Sequence, residues 1–417
     1  MILSVTVVDG ASLRTTFNIQ EAASEEEDVL ANFLQSASSL LSSTKEGLTV
    51  KRVQADGCHS FYMSTEASVS IVVHCTTPNF HPRDMEVVAQ QMKGLLSFLF
   101  GPMGTWSRFI PDIGVRDLVV KYLKRMERHA GIFFGCPEHA LVPPAATVFF
   151  KNFFSSMDVD DLIEAYVVIG DGTVIQSTAT PSSTLYTLAC VDSRLAADMA
   201  MTSLPVYADV GNDTAWHTLV LLRAGSYVLA LFFDIQVGAD EFVPLVENIE
   251  AVVTSPMSKP EDGWYSFANT SIPAIESAEE VFDPITSWAV LVPHDGVCVS
   301  SLPTSPSDPL DDRGTETLRW ACSRVLDMFL PLEKSPADAS GAAEEEGDRK
   351  LLEGVARAVP TTGCILIKDE NPFYVLRFSI RNGRAHCLVV VVGKSDATTS
   401  EVKEVANRLT VSVCEQL

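Results

Sequence analysis

The sequence lacks most of the patterns by which protein classes declare their chemistry. Its nine cysteines (Cys58, Cys75, Cys136, Cys190, Cys298, Cys322, Cys364, Cys387 and Cys414) include no C-x-x-C pair. An odd number without a regular framework reads as reduced, mostly buried thiols of a cytosolic protein. No apolar run is long enough to span a bilayer. The most apolar stretch, Leu219 to Phe233, is broken by Arg223-Ala-Gly-Ser226 and suits two strands better. Met1-Ile-Leu-Ser-Val-Thr-Val-Val-Asp-Gly10 has no basic region and reaches a turn too soon for a signal peptide, so an intracellular, soluble chain is expected. Positive charge is scarce: 30 Lys+Arg face 54 Asp+Glu, a net of −24. Phosphate backbones repel such a surface, which argues against a nucleic-acid partner.

Catalytic signatures are missing too. There is no G-x-x-x-x-G-K-[ST], no G-x-G-x-x-G, no G-x-S-x-G and no H-E-x-x-H, so neither a catalytic site nor a cofactor is expected. Gly170-Asp-Gly172 shares two glycines with phosphate loops but belongs to a hairpin turn. Cys136-Pro-Glu-His139 has ligand-like spacing, as do His74, Cys75 and His81. A structural zinc needs four such ligands converging, and these read as packed or solvated residues. The acidic groups Asp158, Asp160, Asp161 and Asp308, Asp311, Asp312, Glu316 lack the spacing of a calcium loop and read as entries to regular structure.

What is present is a repeat. A chain of 417 residues exceeds one hydrophobic core and divides into several domains. Three Asp-Gly pairs sit between β-branched runs, at Val5 to Phe17, Tyr166 to Thr178 and Trp288 to Ser301. Asp-Gly suits a two-residue hairpin turn because Gly adopts positive φ freely and Asp tolerates it. Each hairpin is followed by a helical stripe. The first is Leu30, Phe33, Leu34, Ala37, Leu40 and Leu41 behind the capping pattern Ser24-Glu-Glu-Glu27. The second is Leu185, Leu188, Ala189, Leu195 and Met199, and the third is Leu318, Ala321, Cys322, Val325 and Phe329. Second hairpins then return: Phe61–Met63 with Val69–Val73, Leu219–Leu222 with Tyr227–Phe233, and Phe378 and Ile380 with Leu388–Val392 across Asn382-Gly383. Closing helices follow at Met85 to Leu99, Phe242 to Val253 and Val402 to Val413. The run Leu388-Val-Val-Val-Val392 belongs in a central strand covered on both faces.

The expected fold is therefore α/β (α+β): three tandem modules, each an antiparallel sheet flanked by helices. The boundaries read as 1–130, 150–256 and 284–417, with a disordered acidic loop at 331–348. One larger α+β enzyme with coincident turns is the alternative. The modules differ in charge. Residues 1–130 hold 12 Lys+Arg against 14 Asp+Glu, while the remainder holds 18 against 40. The first module is thus the one able to approach an acidic partner or an anionic membrane. Within it, Arg116, Lys121, Lys124, Arg125 and Arg128 mark a helix, with 121, 124, 125 and 128 on one face and Leu118, Val119, Tyr122 and Met126 towards another. A solvated helix face and a docking helix are both compatible with that pattern.

The unit of hairpin, helix, further antiparallel strands and closing helix resembles a longin domain. Three in tandem resemble the tri-longin Rab exchange-factor family, which includes the Fuzzy–Inturned, Mon–Ccz and Hermansky–Pudlak pairs, and the chain is most similar to the Fuzzy branch. The stretches that carry the likeness are Ser60 to His74, Leu95-Leu-Ser-Phe-Leu-Phe-Gly101, Asp112 to Leu118, Leu318-Arg-Trp320 and Gly363-Cys-Ile-Leu-Ile367. The resemblance implies a non-catalytic scaffold that pairs with a second longin-containing (Inturned-like) subunit and binds a Rab-type small GTPase. It also implies vesicle traffic, ciliogenesis and planar cell polarity, at the cilium base or in peripheral contact with vesicle membranes. Met85, Val88, Met92, Leu96, Arg116, Lys121, Lys124, Arg125 and Arg128 are the candidate interface residues. A Mon-like endosomal subunit or a non-exchange adaptor or tether is the alternative.

Overall fold

Three antiparallel sheets carry the chain, and each opens at one of the Asp-Gly hairpins. The computed structural model describes residues 2–9, 13–18, 52–55, 59–66, 69–76, 82–108, 113–129, 131–132, 135–140, 148, 150–154, 163–170, 172–195, 199–210, 214–224, 227–254, 285–292, 296–301, 318, 374–381, 384–394 and 397–414. In the first sheet, β1 (Ile2–Asp9), β2 (Leu13–Asn18), β3 (Arg52–Ala55), β4 (His59–Glu66) and β5 (Val69–Thr76) lie in the order β2-β1-β5-β4-β3. In the second, β6 (Ile163–Gly170), β7 (Thr173–Ser177), β8 (Met201–Asp209), β9 (Thr214–Ala224) and β10 (Tyr227–Asp234) lie in the order β7-β6-β10-β9-β8. The third holds β11 (Ile285–Val292), β12 (Val297–Ser300), β13 (Tyr374–Arg381) and β14 (Arg384–Gly393) in the order β12-β11-β14-β13. In all three, the first strand of the opening hairpin pairs with the last strand of its sheet.

The expected strand pairs are present: Met63 faces Val72, Leu222 faces Leu229 and Phe378 faces Leu388. Turn lengths differ from the expectation. Of the three Asp-Gly hairpins that open the sheets, the second alone has a two-residue turn, with Gly170 paired to Thr173 and Gly172 at φ 74°. The first leaves three residues between Asp9 and Leu13, and the third leaves four between Val292 and Val297, with Gly296 at φ 65°. Gly172 and Gly296 supply positive φ in loops of different length, so Asp-Gly marks the turn without setting its length. The edge strands β3 and β8 were not anticipated. β3 is four residues long and half polar. β8 contains Pro205, which an edge strand tolerates because one side of its ladder has no partner.

Among the described residues, the helices with defined bounds that cover these sheets are α1 (Pro82–Phe100), α2 (Ile113–Arg128), α3 (Pro181–Arg194), α4 (Ala239–Thr254) and α5 (Thr399–Cys414). The Thr180 hydroxyl accepts from the Ser183 amide at 3.4 Å and Pro181 opens the first turn, which starts α3. α3 ends at Arg194, so Met199 is off the helix and exposed. A capping box starts α5: the Thr398 amide donates to Glu401 Oε2 at 2.7 Å, and the Glu401 amide donates back to the Thr398 hydroxyl. The expected helix over 24–41, most of the helix expected from Leu318, the acidic loop 331–348 and Gly363–Ile367 lie outside the described residues. Leu318 itself is helical and buried.

Burial follows strand alternation. Val69, Ile71, Val73 and Cys75 of β5 face α1, within a core that runs on through α2, α3 and one face of the second sheet, including Val167, Leu221 and Phe232. The opposite face of that sheet, with Val168, Val220 and Leu231, packs on Phe150, Phe154 and α4 through Val246 and Ile249. The third sheet packs on α5 in a separate core built on Val290, Val391, Val405 and Leu409. Residues 388–392 are all buried, as expected of a central strand. The first two sheets thus share a core, and the third has its own.

α1 and α3 approach closely in the shared core, where a methyl group at Gly94 would overlap the Tyr186 hydroxyl and lie 2.7 Å from its ring. Alanine would favour the isolated helix by about 1 kcal/mol. In this protein Gly94→Ala should instead lower stability by about 1–3 kcal/mol, as overpacking does. Chemical denaturation checks this, and Tyr186→Phe in the same background should restore part of the loss by removing the nearest atom.

Candidate functional site

The apolar candidates sit inside the chain. Met85, Val88 and Met92 are fully buried and Leu96 is 3% exposed. The stripe faces inward because α1 lies between the first sheet and the α3–β8 side of the second. Tyr186 of α3 fills the space beside Gly94, with its ring 5.6 Å from that of Phe98 and 6.0 Å from that of Tyr122. Gln91 Oε1 accepts from the Tyr122 hydroxyl at 3.1 Å and the Tyr186 hydroxyl at 3.3 Å. Burial pushes both phenols up, so they remain neutral donors. One glutamine therefore satisfies two buried hydroxyls from neighbouring modules.

The basic face of α2 is divided. Arg125 is 7% exposed and points into the second module, because α3 docks along this side of the helix. Its guanidinium meets Asp192 Oδ2 at 2.5 Å and donates to the carbonyl of Gly172, the glycine of the second hairpin turn. Lys121 is exposed but engaged, 2.9 Å from Asp117 and 3.1 Å from the Asp192 carbonyl. The Ser193 hydroxyl closes the rim on Asp117 at 3.1 Å. Arg116 and Lys124 point to solvent. The Arg128 side chain lies outside the described residues. The face expected from residues 121, 124, 125 and 128 is thus no single surface, since Arg125 is part of an intrachain junction. Leu118, Val119, Tyr122 and Met126 are buried as the helical spacing implies.

A second polar centre lies at residues 135–140, between the expected bounds of the first two modules. Glu138 forms a parallel bridge with Cys298 of β12, and His139 forms one with Val174 of β7. The backbone bonds run His139 N–H to Cys298 O (2.6 Å), Cys298 N–H to Pro137 O (3.2 Å), Val174 N–H to Glu138 O (2.8 Å) and Ala140 N–H to Val174 O (2.8 Å). The segment fills the gap between two sheet edges, which protects both. Below it, His129 at the end of α2 lies 3.6 Å from the Glu138 carboxylate, both nearly inaccessible. Burial opposes charge on Glu138, but contacts with His129, Ser300 and Cys298 outweigh it and hold the carboxyl below its usual range. Burial lowers His129 and brings His139 down to about 4, and it raises the Cys136 thiol to about 12.

The ligand-like spacing of Cys136 and His139 therefore belongs to a strand that joins two sheets, while His74 and Cys75 belong to β5. Among the described residues, no three His, Cys, Asp or Glu side chains are placed to hold a metal ion, and no helix is long and apolar enough to cross a membrane. His81, Asp158, Asp160, Asp161, Asp308, Asp311, Asp312 and Glu316 lie outside them. Sequence reasoning missed Gln91, His129, Glu138, Tyr186 and Asp192 as junction residues. Only the Cys136–His139 spacing gave any signal. No protein-family model matches the chain, and neither does any curated protein.

Removing one partner of a buried ion pair leaves the other without compensation. Arg125→Gln should therefore cost about 2–4 kcal/mol in denaturant unfolding. Adding Asp192→Asn should cost little more, and a double-mutant cycle reads the coupling.

Proposed function

We propose that this chain is a non-catalytic subunit of a longin heterodimer that serves as a guanine nucleotide exchange scaffold for a Rab-type small GTPase, in the manner of the Fuzzy branch of the tri-longin family. The observation that carries the reading is the repeated strand order. β2-β1-β5-β4-β3 and β7-β6-β10-β9-β8 are the same winding, and β12-β11-β14-β13 follows it over four strands. A hairpin, a helix at α3, three antiparallel strands and a closing helix at α4 match the longin pattern across the second unit. Such a scaffold works by presenting surfaces, so it needs no side chain for bond-making chemistry. Vesicle traffic, cilium assembly and planar cell polarity are the processes this reading implies.

The placement of the candidate residues narrows where a partner can bind. Met85, Val88, Met92, Leu96 and Arg125 hold the first module to the second, so a partner that leaves this junction closed must use other groups. Arg116 and Lys124 are exposed cations on the module that lacks the strong acidity of the rest. They are suited to an acidic partner surface or to anionic lipid headgroups.

Co-expression with a second longin-containing chain, followed by release of fluorescent GDP from a panel of Rab-type GTPases, tests the reading. The pair should accelerate release at least about tenfold on one GTPase, with little effect from this chain alone. Arg116→Glu with Lys124→Glu should weaken partner or GTPase binding about tenfold without changing thermal stability, since both side chains are exposed. If no pairing alters nucleotide release, the exchange role is wrong. Co-purification of several partners without a preferred GTPase would favour a tether instead.

A further inference from the structure

We infer that the His129–Glu138 pair is a proton-sensitive latch, closed at neutral pH, which fastens the third sheet to the first two modules and releases it on acidification. The latch requires no GTPase, and its basis is how differently the modules are joined. The first two share a continuous apolar core, whereas the core of the third sheet is its own. Among the described residues, one seam joins the edge of the third sheet to the first two modules by hydrogen bonds. There the strand at 137–140 bridges β7 and β12 through four backbone hydrogen bonds. Gly131 lies so close to β12 that a methyl group there would meet the Cys298 side chain and the Cys136 carbonyl. On the other side, Gly296 packs on the Pro181 ring at the start of α3.

The buried charge sits at the centre of that seam. Glu138 is on the bridging strand, His129 at the end of α2, and Ser300 and Cys298 on β12 bond to the carboxylate. The other titratable groups in reach are Arg125 of α2 and Asp192 of α3, which act on His129, and Cys136 and His139, which feel Glu138. Arg125 and Asp192 are paired with each other. An apolar seam would not respond to protons; this one buries the His129 imidazole and the Glu138 carboxyl away from water, with His139 half-buried beside them. Closed, the seam disfavours protons on His129, His139 and Glu138 alike. Open, the imidazoles return to the usual range near 6.5. The open state therefore binds more protons, and closure is lost as pH falls from about 6.5, through His129 and His139 first and Glu138 at lower pH. For His139 alone, a drop from about pH 7.5 to about pH 5 shifts the equilibrium about 25-fold towards opening.

The test is amide hydrogen exchange of the full chain followed by mass spectrometry, corrected for the intrinsic pH dependence of exchange. The amides of His139, Ala140, Val174 and Cys298 report the seam. They should lose protection at least about 25-fold between about pH 7.5 and about pH 5, while the amides of β9 and β10 stay protected. His129→Gln with His139→Gln removes both imidazoles and should hold the loss within about threefold over that range. Circular dichroism at neutral pH checks that the variant is folded. If it is not, the wild-type profile still decides. Seam amides that keep their protection at about pH 5, or that fade together with β9 and β10, overturn the latch, as does a folded variant that opens like the wild type.

Discussion

The structure depends on one burial: the apolar faces of α1 and α2 lie between the first sheet and the α3–β8 side of the second. Each large side chain enclosed there contributes about 1.5–3 kcal/mol by leaving water. Met85, Met92, Leu95, Leu118 and Tyr122 are all fully buried. The polar groups of the junction then select the geometry that burial alone leaves open. Gln91 satisfies Tyr122 and Tyr186 together, and Arg125 ties Asp192 to the carbonyl of Gly172. A slip of α2 against α3 would leave several buried donors and acceptors unmatched, each at about 1–3 kcal/mol.

A hierarchy of attachment follows. Dispersion and the hydrophobic effect join the first two modules over a broad contact, and such contacts resist pH and salt. A strand and a buried imidazole–carboxylate contact fasten the edge of the third sheet, and these respond to pH. The two Asp-Gly turns with described glycines have a second use here. Gly172 offers its carbonyl to Arg125, and Gly296 fits against Pro181. The turns that open the second and third sheets are therefore also contact points with the module before them.

Much of this architecture was legible in the sequence, because alternation and helical spacing are local properties. The hairpins, α1, α4, α5 and the buried run 388–392 follow directly from them. The edge strands escaped notice: β3 is short and polar, β8 carries a proline, and half-exposed edges have weak patterns. The candidate surface was read less well. A stripe such as Met85 to Leu96 has the same spacing whether it faces its own sheet, another module or a foreign protein. Arg125 looked like its neighbours Lys121 and Lys124 because nothing local reveals that Asp192 will lie across from it. The strand at 137–140 fell between the expected modules, since its partners at Val174 and Cys298 are distant in sequence and its pairing is parallel.

If burial between modules one and two is the organising constraint, the two must open as one cooperative unit. Native-state hydrogen exchange in mild denaturant measures this directly. The amides of Val5 and Val73 in the first sheet and of Leu221 and Ala230 in the second should merge into one opening free energy, with the amide of Val390 in the third sheet following a separate one. If the first and second sheets instead open at free energies separated by several kcal/mol, the shared core does not organise the fold and the account fails.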